Sequence, residues 1–181
     1  MTEAQFFAWL EQSPLGAFVR SLGVWSYGVI NLVHILGIIL LFGSILILDL
    51  RLLGAWRQIP LATLSQPTTR MAQIGFVLAV ASGIPMLTVK TTDYIGNPFL
   101  LIKFPAIALA LLNVWLVHRS AAWQAHKARD LLPAENRRLA QGAALSLAFW
   151  LTAITSGRMI GYWRVCPLPL GRGWVRYSGA L

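Results

Sequence analysis

The sequence predicts an all-α integral membrane protein folded as an antiparallel four-helix bundle, and three observations point there. Of 181 residues, 57% are hydrophobic and 12% charged, where an ordinary soluble domain has about 45 to 50% apolar and about 25% charged residues. The mean hydropathy is +0.65. Stretches apolar enough to cross a hydrocarbon core, which takes about 20 helical residues, number four. Short links between them favour up-down-up-down topology.

Residues 1–24 mix aromatic and charged side chains in FFAWLEQSPLGAFVRSLGVW, too short to cross, as suits an N-terminal helix lying in the interface. They lack the basic start and continuous apolar run of a secretory signal, so they read as mature chain. Residues 25–163 form the transmembrane domain. Its spans are expected at 25–48 or a little beyond, 71–89, 98–117 and 139–162. The connections are a basic loop with Pro60 and Pro67, the turn KTTDYIGNP, and the polar stretch HRSAAWQAHKARDLLPAENRR. In the last of these the third helix is expected to run on until Pro133 breaks it. Residues 164–181 form a basic C-terminal tail, read as irregular chain at headgroup level.

Charge sets orientation. The two loops expected on one side hold Arg51, Arg57, Arg70, Arg119, Lys127, Arg129, Arg137 and Arg138, and the other side holds Arg20, Lys90, Arg164, Arg172 and Arg176. That excess places the loops in the cytoplasm and both termini in the periplasm. Because this use accounts for the net charge of +9, nucleic acid is not an expected partner. The expected surroundings are a lipid bilayer, with a homodimer or a larger membrane complex open. The lone Cys166 has no intramolecular disulfide partner.

In lipid, helices associate through close backbone approach, so small residues four apart mark contact faces. Gly75, Ala79 and Gly83 have that spacing in the second span, and Ala106 and Ala110 in the third. Polar residues should face protein. At 100° per residue Tyr27, Asn31, His34, Ile45 and Asp49 share one face of the first helix, Thr155, Arg158 and Tyr162 one face of the fourth, and Lys103 that of Ala106 and Ala110. With the termini outside, His34 lies about 13 Å deep, Asn31 about 9 Å, Lys103 about 7 Å and Arg158 about 6 Å. Ser82 and Met86 occupy the same layer. A cationic site in the outer half follows, with His34, Asn31, Lys103, Arg158, Tyr162 and Met86 as cofactor-binding candidates. The competing reading is structural: arginine and lysine snorkel, and a buried histidine bonds a neighbouring carbonyl. Asp49, Arg51, Asn113, His118 and Arg119 gather at the other end, where ion pairs of Asp49 with arginines are expected to anchor the helices.

A haem b would use His34 as iron ligand, with Met86, Met159 or a second chain opposite it and with Lys103 and Arg158 on the propionates. His118 is too far along the bundle to be the second ligand. A quinone or another lipophilic or anionic molecule held by His34, Lys103 and Arg158 is the other ligand class, in a membrane redox assembly. A structural accessory subunit without its own ligand is the alternative function. No nucleophile–base pair, paired carboxylates or phosphate-binding glycine loop is present, so enzyme activity by this chain alone is not expected.

The blocks HILG and DLRLLG in the first span, Lys103 opening the third, the N-x-x-x-x-H-R of Asn113, His118 and Arg119, and GRMIGY from Gly157 to Tyr162 resemble an uncharacterised bacterial family of four-span membrane proteins, a domain of unknown function. The resemblance covers about residues 24 to 163. It implies four helices in a bacterial inner membrane and supplies no activity. The chain is also slightly similar to copper-resistance D-type and cytochrome b membrane proteins, whose paired histidines it does not match at a common depth.

Overall fold

The computed structural model describes residues 3–89, 91–126, 132–167 and 174–178. Lys90, Lys127, Arg129 and Arg172, counted above for orientation, lie outside the described residues. Among the described residues the chain forms helices α1 Glu3–Glu11, α2 Pro14–Ser21, α3 Val24–Leu53, α4 Leu61–Val89, α5 Pro98–Arg119, α6 Ala121–Ala125 and α7 Pro133–Ile160. Strands β1 Trp163–Pro167 and β2 Trp174–Ser178 follow. Helices α3, α4, α5 and α7 are long and apolar enough to cross a membrane.

The N-terminal segment is two helices, because Ser13 stops one and caps the next. Its Oγ accepts from Gly16 N at 3.2 Å, and Pro14, first in α2, has no N–H to leave unmet. Both helices pack on α4, and α1 also on the 3-10 turn Thr91–Tyr94. Arg20 donates to Thr88 O at 3.3 Å. Helix α3 ends where Gly54 turns left-handed at φ 110°, a region that favours glycine.

Three boundaries differ from the sequence expectation. Helix α4 begins ten residues before the expected 71 and contains Pro67. Near a helix start the missing Pro67 N–H frees only the carbonyl of Thr63, which is exposed and open to water. Helix α5 does not run on to Pro133. It stops at Ser120, whose backbone is extended and whose Oγ accepts from Trp123 N at 3.2 Å to start α6. Pro133 opens α7 instead of ending a helix, with Glu135 Oε2 accepting from Leu132 N at 2.8 Å. The tail read as irregular pairs into an antiparallel hairpin, Trp163 opposite Ser178 and Pro167 opposite Trp174.

The spanning helices associate as two pairs, α3 with α4 and α5 with α7, joined through α3 and α7. Among the described residues α4 and α5 do not pack along each other. The seams are the small-residue faces expected. A Cβ on Gly37 would lie 2.7 Å from Ala79 N, and one on Gly75 would lie 2.8 Å from Gly37 O and from Leu41 Cα. These are backbone-to-backbone contacts that only glycine allows. Ala106 and Ala110 are buried, Ala110 completely at 0% exposure. Leu41, Ala110 and Trp150 form the central cluster, with Phe42, Phe76 and Phe149 packed on it.

Candidate functional site

His34 sits on α3 facing α4. Its Nδ1 lies 2.9 Å from Ala79 O and 3.1 Å from Ser82 Oγ. Ala79 O can only accept, so Nδ1 carries the proton. Ser82 directs its own hydroxyl to Leu78 O at 2.5 Å and so offers His34 a lone pair. The ring lies against Gly83, where a Cβ would come 3.0 Å from Cε1. His34 thus clasps α3 to α4. A histidine that donates Nδ1–H to a carbonyl keeps the Nε2 lone pair of a metal ligand. Haem, however, needs a gap between helices. One to two turns from His34 the α3 and α4 backbones touch at Gly37, Gly75 and Ala79, so a macrocycle seated on His34 between these helices does not fit.

The other outer-half candidates divide between the two helix pairs. Lys103 on α5 runs beside α7, where a Cβ on Gly157 would lie 3.5 Å from its Nζ. Arg158 and Tyr162 are exposed and pair with each other: Nη2 donates to the Tyr162 hydroxyl at 2.7 Å, and the guanidinium stands 5.0 Å from the ring centroid. Asn31 and Met86 are half-buried. His34 is therefore brought together with Ser82, and Lys103 lies against Gly157 yet close enough to the His34 ring to act on it through space, while Arg158 and Tyr162 stand at the bundle surface.

A cavity of about 460 Å³ opens at the other end of the bundle. Its wall takes residues from α3, α4, α5, α6 and α7 and fills the place where α4 and α5 fail to meet. Leu41, Ile45, Leu48, Phe76, Val77 and Leu111 make most of it apolar. Four wall residues carry a buried polar atom without a hydrogen-bond partner: Asp49 Oδ2, Thr69 Oγ1, His118 Nε2 and Trp150 Nε1. Each such atom costs about 1–3 kcal/mol until something meets it.

The cause of each is local. His118 donates Nδ1–H to Val114 O at 2.8 Å, one turn back, which leaves Nε2 as an acceptor. Its ring packs at a tilt 4.5 Å from Trp123, which in turn packs at a tilt 4.5 Å from His126. Buried His126 is fixed by Ser65 Oγ at 2.9 Å from Nε2, so these three rings form a rigid floor. Asp49, 6% exposed, receives the Ser146 hydroxyl. The arginine pairing expected of Asp49 is not what forms. Among the described residues Asp49 has no ion pair, because Arg51 turns away to Ile59 O at 2.7 Å and Arg57 O at 3.3 Å, and Arg119 lies over Trp115. Asn113 is a second clasp, Nδ2 donating to Gly142 O at 2.9 Å and holding α5 to α7.

Sequence reasoning places Asp49 and His118 at this end but does not single out Thr69 or Trp150. For Trp150 a signal exists. Tryptophan in membrane helices collects at the interfaces, and Trp150 stands well inside α7, 4% exposed, away from the interfaces where its N–H is usually met. For Thr69 no such signal exists.

Compared with known proteins, residues 6–163 match a family described as a family of unknown function (DUF6644). No curated protein and no solved structure matches the chain.

Proposed function

The chain belongs to a family of unknown function, and from its own site we propose that it is a membrane-embedded binding protein for a small lipophilic molecule of the quinone–quinol kind. One observation carries this: four unmet polar atoms belong to the wall of one apolar cavity. Ligand pockets are of this size and kind, about 300–1,000 Å³, apolar, with a few placed polar groups. The unmet set both donates and accepts. Trp150 N–H offers a proton to a carbonyl oxygen, His118 Nε2 and Asp49 Oδ2 accept from a hydroxyl, and Thr69 does either. A molecule that carries carbonyls in one state and hydroxyls in another is served in both. The gap between α4 and α5 gives entry from the hydrocarbon core, and the excess of arginine and lysine in the α3–α4 and α5–α7 loops supports an inner-membrane orientation with the cavity toward the cytoplasm. On this reading His34, which the sequence puts at the centre, holds helices together, and the ligand sits about 22 Å further along α3, beside Asp49.

The test is to purify the protein in mild detergent, extract what co-purifies and identify it by mass spectrometry, beside Thr69→Val and Trp150→Phe. The expected result is a quinone-class molecule retained by the parent and depleted several-fold in both variants, each still folded. Thr69→Val should also leave the ligand-free protein as stable or up to about 1 kcal/mol more so, since it removes an unmet hydroxyl. Equal retention by all three proteins overturns the cavity as the site. A Soret band abolished by His34→Ala would replace this reading with a haem protein.

A further inference from the structure

A second cavity, about 510 Å³, lies where α3 ends and α7 begins, and its chemistry is opposite to that of the first. Arg51, Arg57, Asn136 and Arg137 line it, with Leu52 and Ala140 behind them. Three guanidinium groups in one concavity repel each other, and among the described residues none has an acidic ion-pair partner. Glu135, the acidic residue of the first turn of α7, bonds back to Leu132 N. The arrangement is also built. Arg51 bonds two carbonyls of the 54–60 loop, Ile59 O and Arg57 O, and so fixes the loop that carries Arg57. The Arg57 side chain in turn lies on Gly54, where a Cβ would meet its Nη2 at 2.9 Å. The first turn of α7 adds the positive end of its helix dipole.

Independently of the quinone reading, we infer that this cavity binds a phosphate group. Guanidinium forks match phosphate oxygens two at a time. The cavity stands at the ends of two spanning helices, at the level of a lipid headgroup, where basic pockets between helices hold anionic lipids. The phosphate therefore belongs to an anionic phospholipid of that leaflet or to a free phosphate in the adjoining water.

Three proteins decide it: the parent, Arg57→Gln with Arg137→Gln, and a control that removes the same charge outside the cavity, Arg70→Gln with Arg138→Gln. All four arginines are exposed. Native mass spectrometry with added phosphatidylglycerol or phosphatidylcholine reads lipid binding, and thermal unfolding in sodium phosphate against chloride at equal ionic strength reads free phosphate. For a lipid headgroup, phosphatidylglycerol binds the parent and the control alike and about 30-fold more weakly to the cavity variant, with no such difference for phosphatidylcholine. For a free phosphate, the salt raises the melting temperature of the parent and the control but not of the cavity variant. The inference is overturned if both double variants lose binding equally, or if neither probe separates the cavity variant from the parent. Arg137→Gln alone, at a side chain that makes no hydrogen bond among the described residues, repeats the comparison should the double variant fold poorly. Neither result depends on what the apolar cavity holds.

Discussion

Gly83 and His34 should behave as one unit, and a double-mutant cycle measures it. In Gly83→Ala the new methyl would stand 3.0 Å from His34 Cε1 and 3.3 Å from Nδ1, whereas comfortable heavy-atom contacts are about 3.5–4.0 Å. The ring must back away from α4 by several tenths of an ångström. Its bond to Ala79 O starts at 2.9 Å, so that retreat stretches it toward the limit of a hydrogen bond. Interhelical hydrogen bonds in membranes are worth about 0.6 kcal/mol on average and about 1.7 at most. Alanine in place of a helical glycine meanwhile gains about 1 kcal/mol. Gly83→Ala should therefore change stability little in the parent and stabilise the His34→Ala background by about 1 kcal/mol, a coupling of about 0.6–1.7 kcal/mol. Reversible unfolding in mixed detergent micelles reads it. Additive effects within about 0.3 kcal/mol would show that His34 is not the clasp described.

Two further predictions concern packing and satisfaction. Gly75→Ala should destabilise by about 1–3 kcal/mol, since the new atom meets the backbone of Leu41 and Gly37, which cannot swing aside; Gly43→Ala, on α3, the facing helix of that seam, but with nothing within 4 Å, should be neutral or stabilise by up to about 1 kcal/mol. The same micelle unfolding compares them, and equal effects would contradict the assigned seam. Ser65→Ala should cost about 1–3 kcal/mol by stranding buried His126 Nε2, read as a lowered melting temperature.

The spans and their seams are legible in the sequence because both follow from local rules: hydrophobic length gives the crossings, and Gly75 and Ala79 at four-residue spacing give the face where backbones touch. The α4 start was hidden by Pro67, which reads as loop punctuation yet sits where a lost N–H matters little. Ser120 ends α5 through its own backbone and cap, a weaker sequence signal than Pro133. The outer polar layer is legible as a list of residues but not as contacts. Helical faces tell that His34 and Lys103 point inward, not that one binds α4 and the other runs beside α7. The cavity is not legible at all, because it comes from which helices fail to pack, and no residue of α4 or α5 announces that they will stay apart. Asp49 and His118 are visible in the chain, but their lack of partners is a property of the assembled wall.

The pairwise assembly makes the molecule resemble a hinged book. Each cover is stiff, α3 with α4 through bare backbone contact and a histidine clasp, and α5 with α7 through Asn113. The spine is the α3–α7 contact, with the Ser65–His126 bond tying α4 to the end of α6 beside it. At the termini end α1 and α2 press against α4, and Asn97 reaches from the start of α5 to Ile160 O at 3.4 Å, so each cover is braced there. At the opposite edge Thr69 and His118 belong to the wall of the unpacked gap. A guest arriving sideways from the bilayer would leave the clasp inside each cover closed and meet the page with Asp49 and Trp150 written on it.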